Sequence, residues 1–266
     1  MHTITKIISE AIVLALCGLA LICSSCVHIA TSGKKRMCRS ENFNGRKLPV
    51  SMIVLHYTAL STYKESMERL CDTNCQGRVS AHYLIDRNGD TYQLVDESKR
   101  AWHAGIGKWR EVTDINSASI GIELVNVGLT SDGKREEYPA AQMQALIALC
   151  KDIQRRHKIR FVLGHSDVAP SRKQDPGENF DWKRLAENGV GIWTDSFIES
   201  DEDLLKILTD IGYDTSVPDK AIVAFQRHFY PAGLNGDIDM TKKRAAAVRD
   251  VFFQKRPITC DAEGNP

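Results

Sequence analysis

Two histidines and an aspartate stand out by their surroundings. His56 lies at the end of the apolar run Ser51–Tyr57 (SMIVLHY), and His165 ends the run Arg160–Gly164. Short apolar runs of this kind, rich in β-branched residues, read as buried strands. Alternate side chains of a strand share a face, so His56 goes with Met52 and Val54, and His165 with Phe161 and Leu163. Asp175 follows in the run Ser171–Gly177, where Pro176 and Gly177 favour a rigid loop over a helix. Two imidazoles and one carboxylate form a zinc set that leaves one position open for water. Such an ion brings the pKa of its water toward about 7 and polarises a carbonyl, as amide hydrolysis requires. Pattern alone does not establish this: a histidine at a strand end is more often a hydrogen-bonded structural residue. The short His-Glu-x-x-His metalloprotease motif is absent.

The elements that must position these residues read as an α/β chain with a mixed central sheet flanked by helices. Beyond the two strands above, Ala81–Asp86 and Thr91–Val95 are expected as strands joined by an Asn88-Gly89 turn. Ser119–Val125 alternates, with Ile120, Ile122 and Leu124 on one face and Ser119, Gly121 and Glu123 on the other. Helices are expected at Thr62–Leu70, Ala140–His157 and Trp182–Asn188, the last stopped by Gly189. After an acidic stretch at 195–203 come three helical patterns and no strand: Asp203–Ile211, Asp219–His228 and Thr241–Phe253. They predict a small three-helix all-α domain, with Ile222, Phe225 and Phe229 as its core.

Several segments resemble, in order, those of the type 2 family of zinc-dependent N-acetylmuramoyl-L-alanine amidases, which share a fold with the peptidoglycan recognition proteins. They are Ile53-Val54-Leu55-His56-Tyr57-Thr58-Ala59, Val79-Ser80-Ala81-His82-Tyr83-Leu84-Ile85 and Ala101-Trp102-His103-Ala104-Gly105. Ser119–Asn126, Gly164–Pro170 and Arg172–Gly177 complete the set, which spans about residues 46–193. The resemblance implies a Zn2+ cofactor held by His56, His165 and Asp175, with Glu123 as general base and Lys173 as a charged stabiliser. The residues suit those roles: a carboxylate near the attacking water can carry its proton to the leaving amine, and an ammonium can stabilise an oxyanion. His82, Trp102, His103 and Asn126 are expected as substrate-binding walls of the pocket. Residues 200–256 resemble the three-helix peptidoglycan-binding domain found beside cell-wall hydrolases, with Ala224-Phe225-Gln226-Arg227-His228-Phe229 as its most specific run. That module either binds glycan or buttresses the catalytic part.

The expected order is therefore a signal peptide (1–25), a basic linker (26–45), a catalytic domain (46–195) and a helical domain (196–266). Residues 11–22 (AIVLALCGLALI) are too short to span a bilayer and suit the apolar core of an export signal. Ser24, Ser25 and Cys26 resemble a lipoprotein cleavage site, which implies a lipid anchor at Cys26 and a periplasmic chain held at a membrane, the outer membrane favoured. Lys34, Lys35, Arg36, Arg39, Arg46 and Lys47 against Glu41 read as a solvated linker or as a membrane contact. Lysine and arginine total 35 against 34 acids, a net charge of +1, which excludes a basic nucleic-acid-binding body. Of eight cysteines, Cys71 and Cys75 are near enough in sequence for a bridge. The partners expected are peptidoglycan, muropeptides or a lipid-linked precursor, acted on by a monomer. The alternatives are a recognition protein that binds without cutting, and a stem-peptide peptidase, metal-dependent or with a second activity at Ser61 and Lys64, a Ser-x-x-Lys pair without its Lys-Thr-Gly partner.

Overall fold

The computed structural model describes residues 36–254. The expected export segment, Cys26, Lys34, Lys35 and Cys260 lie outside the described residues. Six strands form the main sheet in the order β1-β5-β4-β7-β3-β8. They are β1 Arg36–Met37, β3 Met52–Tyr57, β4 Tyr83–Ile85, β5 Thr91–Gln93, β7 Ser119–Leu124 and β8 Phe161–Gly164. All neighbours run parallel except β4 and β5, which are antiparallel, so the sheet is mixed as expected. Two short strands, β2 Phe43–Gly45 and β6 Lys99–Ala101, pair separately.

The centre of the sheet, β3 and β7, is covered on both faces, which is why these strands read as apolar runs. On one face Ile53, Leu55, Ile120, Ile122 and Val162 pack against helix α3 (Ala140–Arg156). That helix contributes Met143, Leu146, Ile147, Cys150 and Ile153, spaced as one helical stripe. Short helix α5 (Trp182–Glu187) closes the same side through Trp182 and Leu185. Helix α1 (Tyr63–Cys71) begins with a reciprocal capping box between Thr62 and Glu65, the reason it starts there, and the one-turn helix α2 (Ile115–Ala118) leads into β7.

The opposite face holds Met52, Val54, Phe161 and Leu163, and it is covered by the C-terminal helices. These are α6 (Leu204–Ile211), α7 (Pro218–Phe229) and α8 (Ile238–Gln254). Leu204, Ile207, Leu208 and Ile211 of α6 share one buried cluster with Phe225 and Phe229 of α7, Phe252 of α8 and the sheet residues. Trp109 keys the contact, edge-on to Phe161 at 5.8 Å and to Tyr213 at 5.0 Å. Arg110 donates from Nε to the Ile211 carbonyl at 3.0 Å, satisfying an open end of α6. Residues on both sides of position 195 thus share one core, and all described residues belong to one compact unit. Phe225→Ala should cost about 3–5 kcal/mol and lower a single melting transition of the whole unit; two separate transitions would contradict a shared core.

Arg46 departs from the expected solvated linker. Its guanidinium donates to the carbonyls of Glu97, Lys99, Ser117 and Ser119, stitching the chain entry to β6 and β7. Cys71 and Cys75, near enough in sequence for a bridge, are free thiols, as are Cys38 and Cys150.

Candidate metal centre

His56 sits on β3 directly opposite Glu123 of β7 in the parallel register. His165 follows β8 at once and opens the one-turn helix α4 (His165–Val168), while the Ser166 N–H donates to the Asp175 carbonyl at 2.9 Å and folds the loop back. All three candidate ligands therefore gather at the C-terminal end of parallel strands, where open α/β sheets place their ligands. His56 Nδ1 and His165 Nδ1 are 2.9 Å apart, and Asp175 Oδ2 lies 3.1 and 3.0 Å from them. All three residues are buried.

The surrounding hydrogen bonds show which nitrogens carry protons. Ser119 Oγ donates its proton to the Ile115 carbonyl at 2.6 Å, so it accepts from His103 Nε2 at 3.2 Å. His103 Nδ1 is then an acceptor and takes the proton of His56 Nε2 at 3.0 Å. This leaves His56 Nδ1 as a bare lone pair. His165 Nε2 donates to the Ala104 carbonyl at 2.9 Å, which leaves its Nδ1 bare as well. Burial and the neighbouring His165 pull the His56 pKa down to about 4, keeping it neutral. Two lone pairs and a carboxylate oxygen thus converge with no proton between them, an arrangement that calls for a cation. Their spacing is close to the ~3.3 Å edges of a tetrahedral site with bonds of about 2.0–2.1 Å, so the donor set fits Zn2+.

Glu123 points from β7 toward this triad. Its Oε2 is buried and has no hydrogen-bond partner among the described residues. Burial, then the charge of Asp175, pushes its pKa up to about 8 against the pull of Lys173. Lys173, half-buried on the ligand loop, also acts electrostatically on His56.

The expected pocket walls fall differently. His103 stands behind His56 as the relay described above, 8 % exposed. Its ring lies where a side chain of Gly121 would be: a Cβ there would come within 2.3 Å of His103 Cγ. Gly121→Ala should displace the ring, free His56 and weaken metal binding roughly 10–100-fold, read by competition with a chromogenic chelator; unchanged affinity would exclude the relay. His82 is fully buried; its Nδ1 accepts the Gly121 N–H at 2.9 Å and its Nε2 meets the Lys99 carbonyl at 3.1 Å, out of a substrate's reach. Asn126 is buried too, accepting the Gly128 N–H at 2.7 Å and donating to the Glu136 carbonyl, so it shapes its own loop. Trp102 remains partly exposed, with Arg78 5.2 Å over its ring. Ser61 Oγ donates to Glu65, and Lys64 pairs with Glu68 at the exposed start of α1, so the two do not form a nucleophile pair.

Sequence reading did not single out Asp167. It accepts from the Gly164 N–H, from Tyr213 Oη at 2.7 Å and from His228 Nδ1 at 2.6 Å, all buried. It ties the helix that starts with His165 to the C-terminal helices. Its signal was its place two residues after a ligand in a turn too short to hold itself.

A mixed sheet presenting a cation site beside a poised, unpartnered carboxylate defines a metal-dependent hydrolase. Residues 46–178 match the N-acetylmuramoyl-L-alanine amidase family. The chain is 40% identical over 238 residues to N-acetylmuramoyl-L-alanine amidase AmiD of Escherichia coli, covering 77% of this chain and 84% of that protein. It is 44% identical over 109 residues to 1,6-anhydro-N-acetylmuramyl-L-alanine amidase AmpD of Escherichia coli, covering 41% of this chain and 57% of that protein. Among solved structures, AmiD with anhydro-N-acetylmuramic acid-L-Ala-D-gamma-Glu-L-Lys superposes with a TM-score of 0.67 at 37% identity, covering 77% of this chain and 89% of that one. AmpDH3 of Pseudomonas aeruginosa gives 0.66 at 34% identity, covering 78% and 92%. The chain belongs to the N-acetylmuramoyl-L-alanine amidase family. It is a zinc-dependent hydrolase of the amide bond between N-acetylmuramic acid and the L-alanine of peptidoglycan stem peptides.

Proposed function

We propose that His56, His165 and Asp175 hold the Zn2+, that Glu123 is the general base and that Lys173 stabilises the oxyanion. The convergence of two bare imidazole nitrogens on the Asp175 carboxylate carries this reading. Bound there, the ion would polarise the scissile carbonyl and make the attacking water more acidic. Glu123 takes the proton of that water at its free Oε2 and passes it to the departing nitrogen of L-alanine. The Lys173 ammonium offsets the negative charge that develops on the carbonyl oxygen. His103 and Ser119 hold His56 in the ligating tautomer and take no part in bond making.

The finer setting is part of the same proposal. Residues 46–195 supply the chemistry, and 196–266 form a helical part of the peptidoglycan-binding type. The chain acts as a monomer in the periplasm, anchored through Cys26 to the outer membrane, on peptidoglycan fragments that include anhydro-muramyl ends like the ligand seen with AmiD. Mass analysis of products from defined muropeptides, with and without chelator, tests it. Intact stem peptide plus free glycan, lost with chelator and restored by Zn2+, is the expected result. Cleavage inside the stem would overturn the bond assigned.

A further inference from the structure

A groove of about 180 Å3 opens beside the ligand loop. One wall is the loop at 170–174, and the other is α7 through Asp219, Lys220, Val223 and Arg227. Its charge is unbalanced, with Arg172, Lys173, Lys220 and Arg227 facing the single acid Asp219. Arg172 is occupied, since its guanidinium donates to the carbonyls of Ala104 and Ile106. Arg227 is loosely paired: its buried Nε lies 3.8 Å from Glu178 Oε2, an ion pair without a hydrogen bond, and Glu178 is already held by Arg135 at 2.8 Å. Its charge is therefore incompletely offset within the fold, and an anion in the groove beside it would gain from that charge.

The groove lies beside the reaction centre, because its loop wall runs up to Gln174, the residue before ligand Asp175. Lys173 lines it and stands two residues before ligand Asp175. The volume is several times that of a water molecule, about 30 Å3. It falls short of the roughly 300–1,000 Å3 of a pocket that swallows a whole ligand. Its excess of positive charge suits an anionic group better than a sugar ring pair, whose N-acetyl and hydroxyl groups carry no charge.

We propose that this groove is a carboxylate subsite for the stem peptide, in which Lys220 and Arg227 of the C-terminal helices act with Lys173 of the ligand loop. The proposal rests on the amidase reading and adds a specificity role for α7. A stem peptide offers two carboxylates of this kind. A γ-linked glutamate leaves its α-carboxylate free one residue from the scissile bond, and the peptide end carries another. The C-terminal helices then build a wall of the catalytic cleft as well as covering the sheet.

Steady-state kinetics on three soluble substrates tests this: muramyl-L-Ala-D-γ-Glu-L-Lys, the same with the glutamate α-carboxyl as carboxamide, and the same with the C-terminal carboxyl as carboxamide. Lys220 is exposed, so Lys220→Ala leaves folding intact. On the acid substrate Lys220→Ala should raise KM about fivefold with kcat unchanged, the scale of one partly solvated ion pair. Arg227→Gln should raise it about tenfold or more. Lys220→Arg should restore the wild-type KM. One of the two amidated substrates should erase the difference between variants and wild type, and that substrate identifies the carboxylate held. The same variant-to-wild-type KM ratio on all three substrates, or no change on any, would overturn the subsite. If Arg227→Gln loses its fold, Lys220→Ala and Lys220→Arg decide alone. Failure of the amidase reading would look different, as wild type would then release no tripeptide from the acid substrate.

Discussion

Glu123→Gln should lower kcat by about 10²–10⁴ while the protein keeps its full complement of zinc. The magnitude is that of a positioned general base. The substitution keeps the shape and removes the site that takes a proton. Glu123 faces His56 across one parallel strand pair, and its Oε2 has no competing partner among the described residues, so the carboxylate is held near the reacting water and left free to act. The triad does not use Glu123, so metal content and KM should stay near wild type. A second readout separates this loss from misfolding. Folding lifts the Glu123 pKa from the ordinary carboxylate value to about 8, through burial first and then the charge of Asp175. A carboxyl raised in this way withdraws stability as pH climbs from about 4.5 to 8, because the folded chain resists losing its proton. The metal-free Gln variant should therefore melt higher than metal-free wild type at pH 8, with a smaller difference at pH 5. An inactive protein that is at least as stable marks a functional carboxylate; wild-type turnover in the variant would remove Glu123 from the mechanism.

The same strands show what could be read from residues and what could not. Both histidines, the alternation of Ser119–Val125 and the stripe of α3 were legible because each is written in nearest-neighbour periodicity. Ile120, Ile122 and Leu124 do turn to one core, while Glu123 turns to the site. The burial of histidines 82 and 103 was not legible, because periodicity says nothing of what stands across the sheet. His103 lies over Gly121, a residue without a side chain to exclude it, and only the three-dimensional register brings them together. Asn126 looked free to bind because its partners, Gly128 and Glu136, are backbone groups of a loop with no pattern of its own. Strands β1, β2 and β6 carry no apolar run and form at the edges or apart, where pairing depends on neighbours far along the chain. The C-terminal helices were legible as helices. Their apolar faces did not reveal that the partner is the sheet as well as one another, since Ile207 or Phe225 would serve either core equally.

Asp175→Asn should strip the metal and with it all turnover. The triad gathers two neutral nitrogens and one negative oxygen, so Asp175 supplies the whole of its opposing charge. An asparagine oxygen keeps the shape and loses that charge, and its amide can turn an N–H toward the bare Nδ1 of His56 or His165 instead. The site would then be satisfied without a cation. Taking one ligand's share of the ~10–16 kcal/mol with which four-ligand zinc sites are held, affinity should fall about two to three orders of magnitude. Dialysis against a weak chelator followed by elemental analysis should leave wild type loaded and the variant empty. The two substitutions should also divide on rescue. Excess Zn2+ refills Asp175→Asn and recovers part of its rate, because Glu123 is intact. It does nothing for Glu123→Gln, whose site is already full. If Asp175→Asn kept its metal through dialysis and cut at the wild-type rate, the third ligand would have to lie elsewhere.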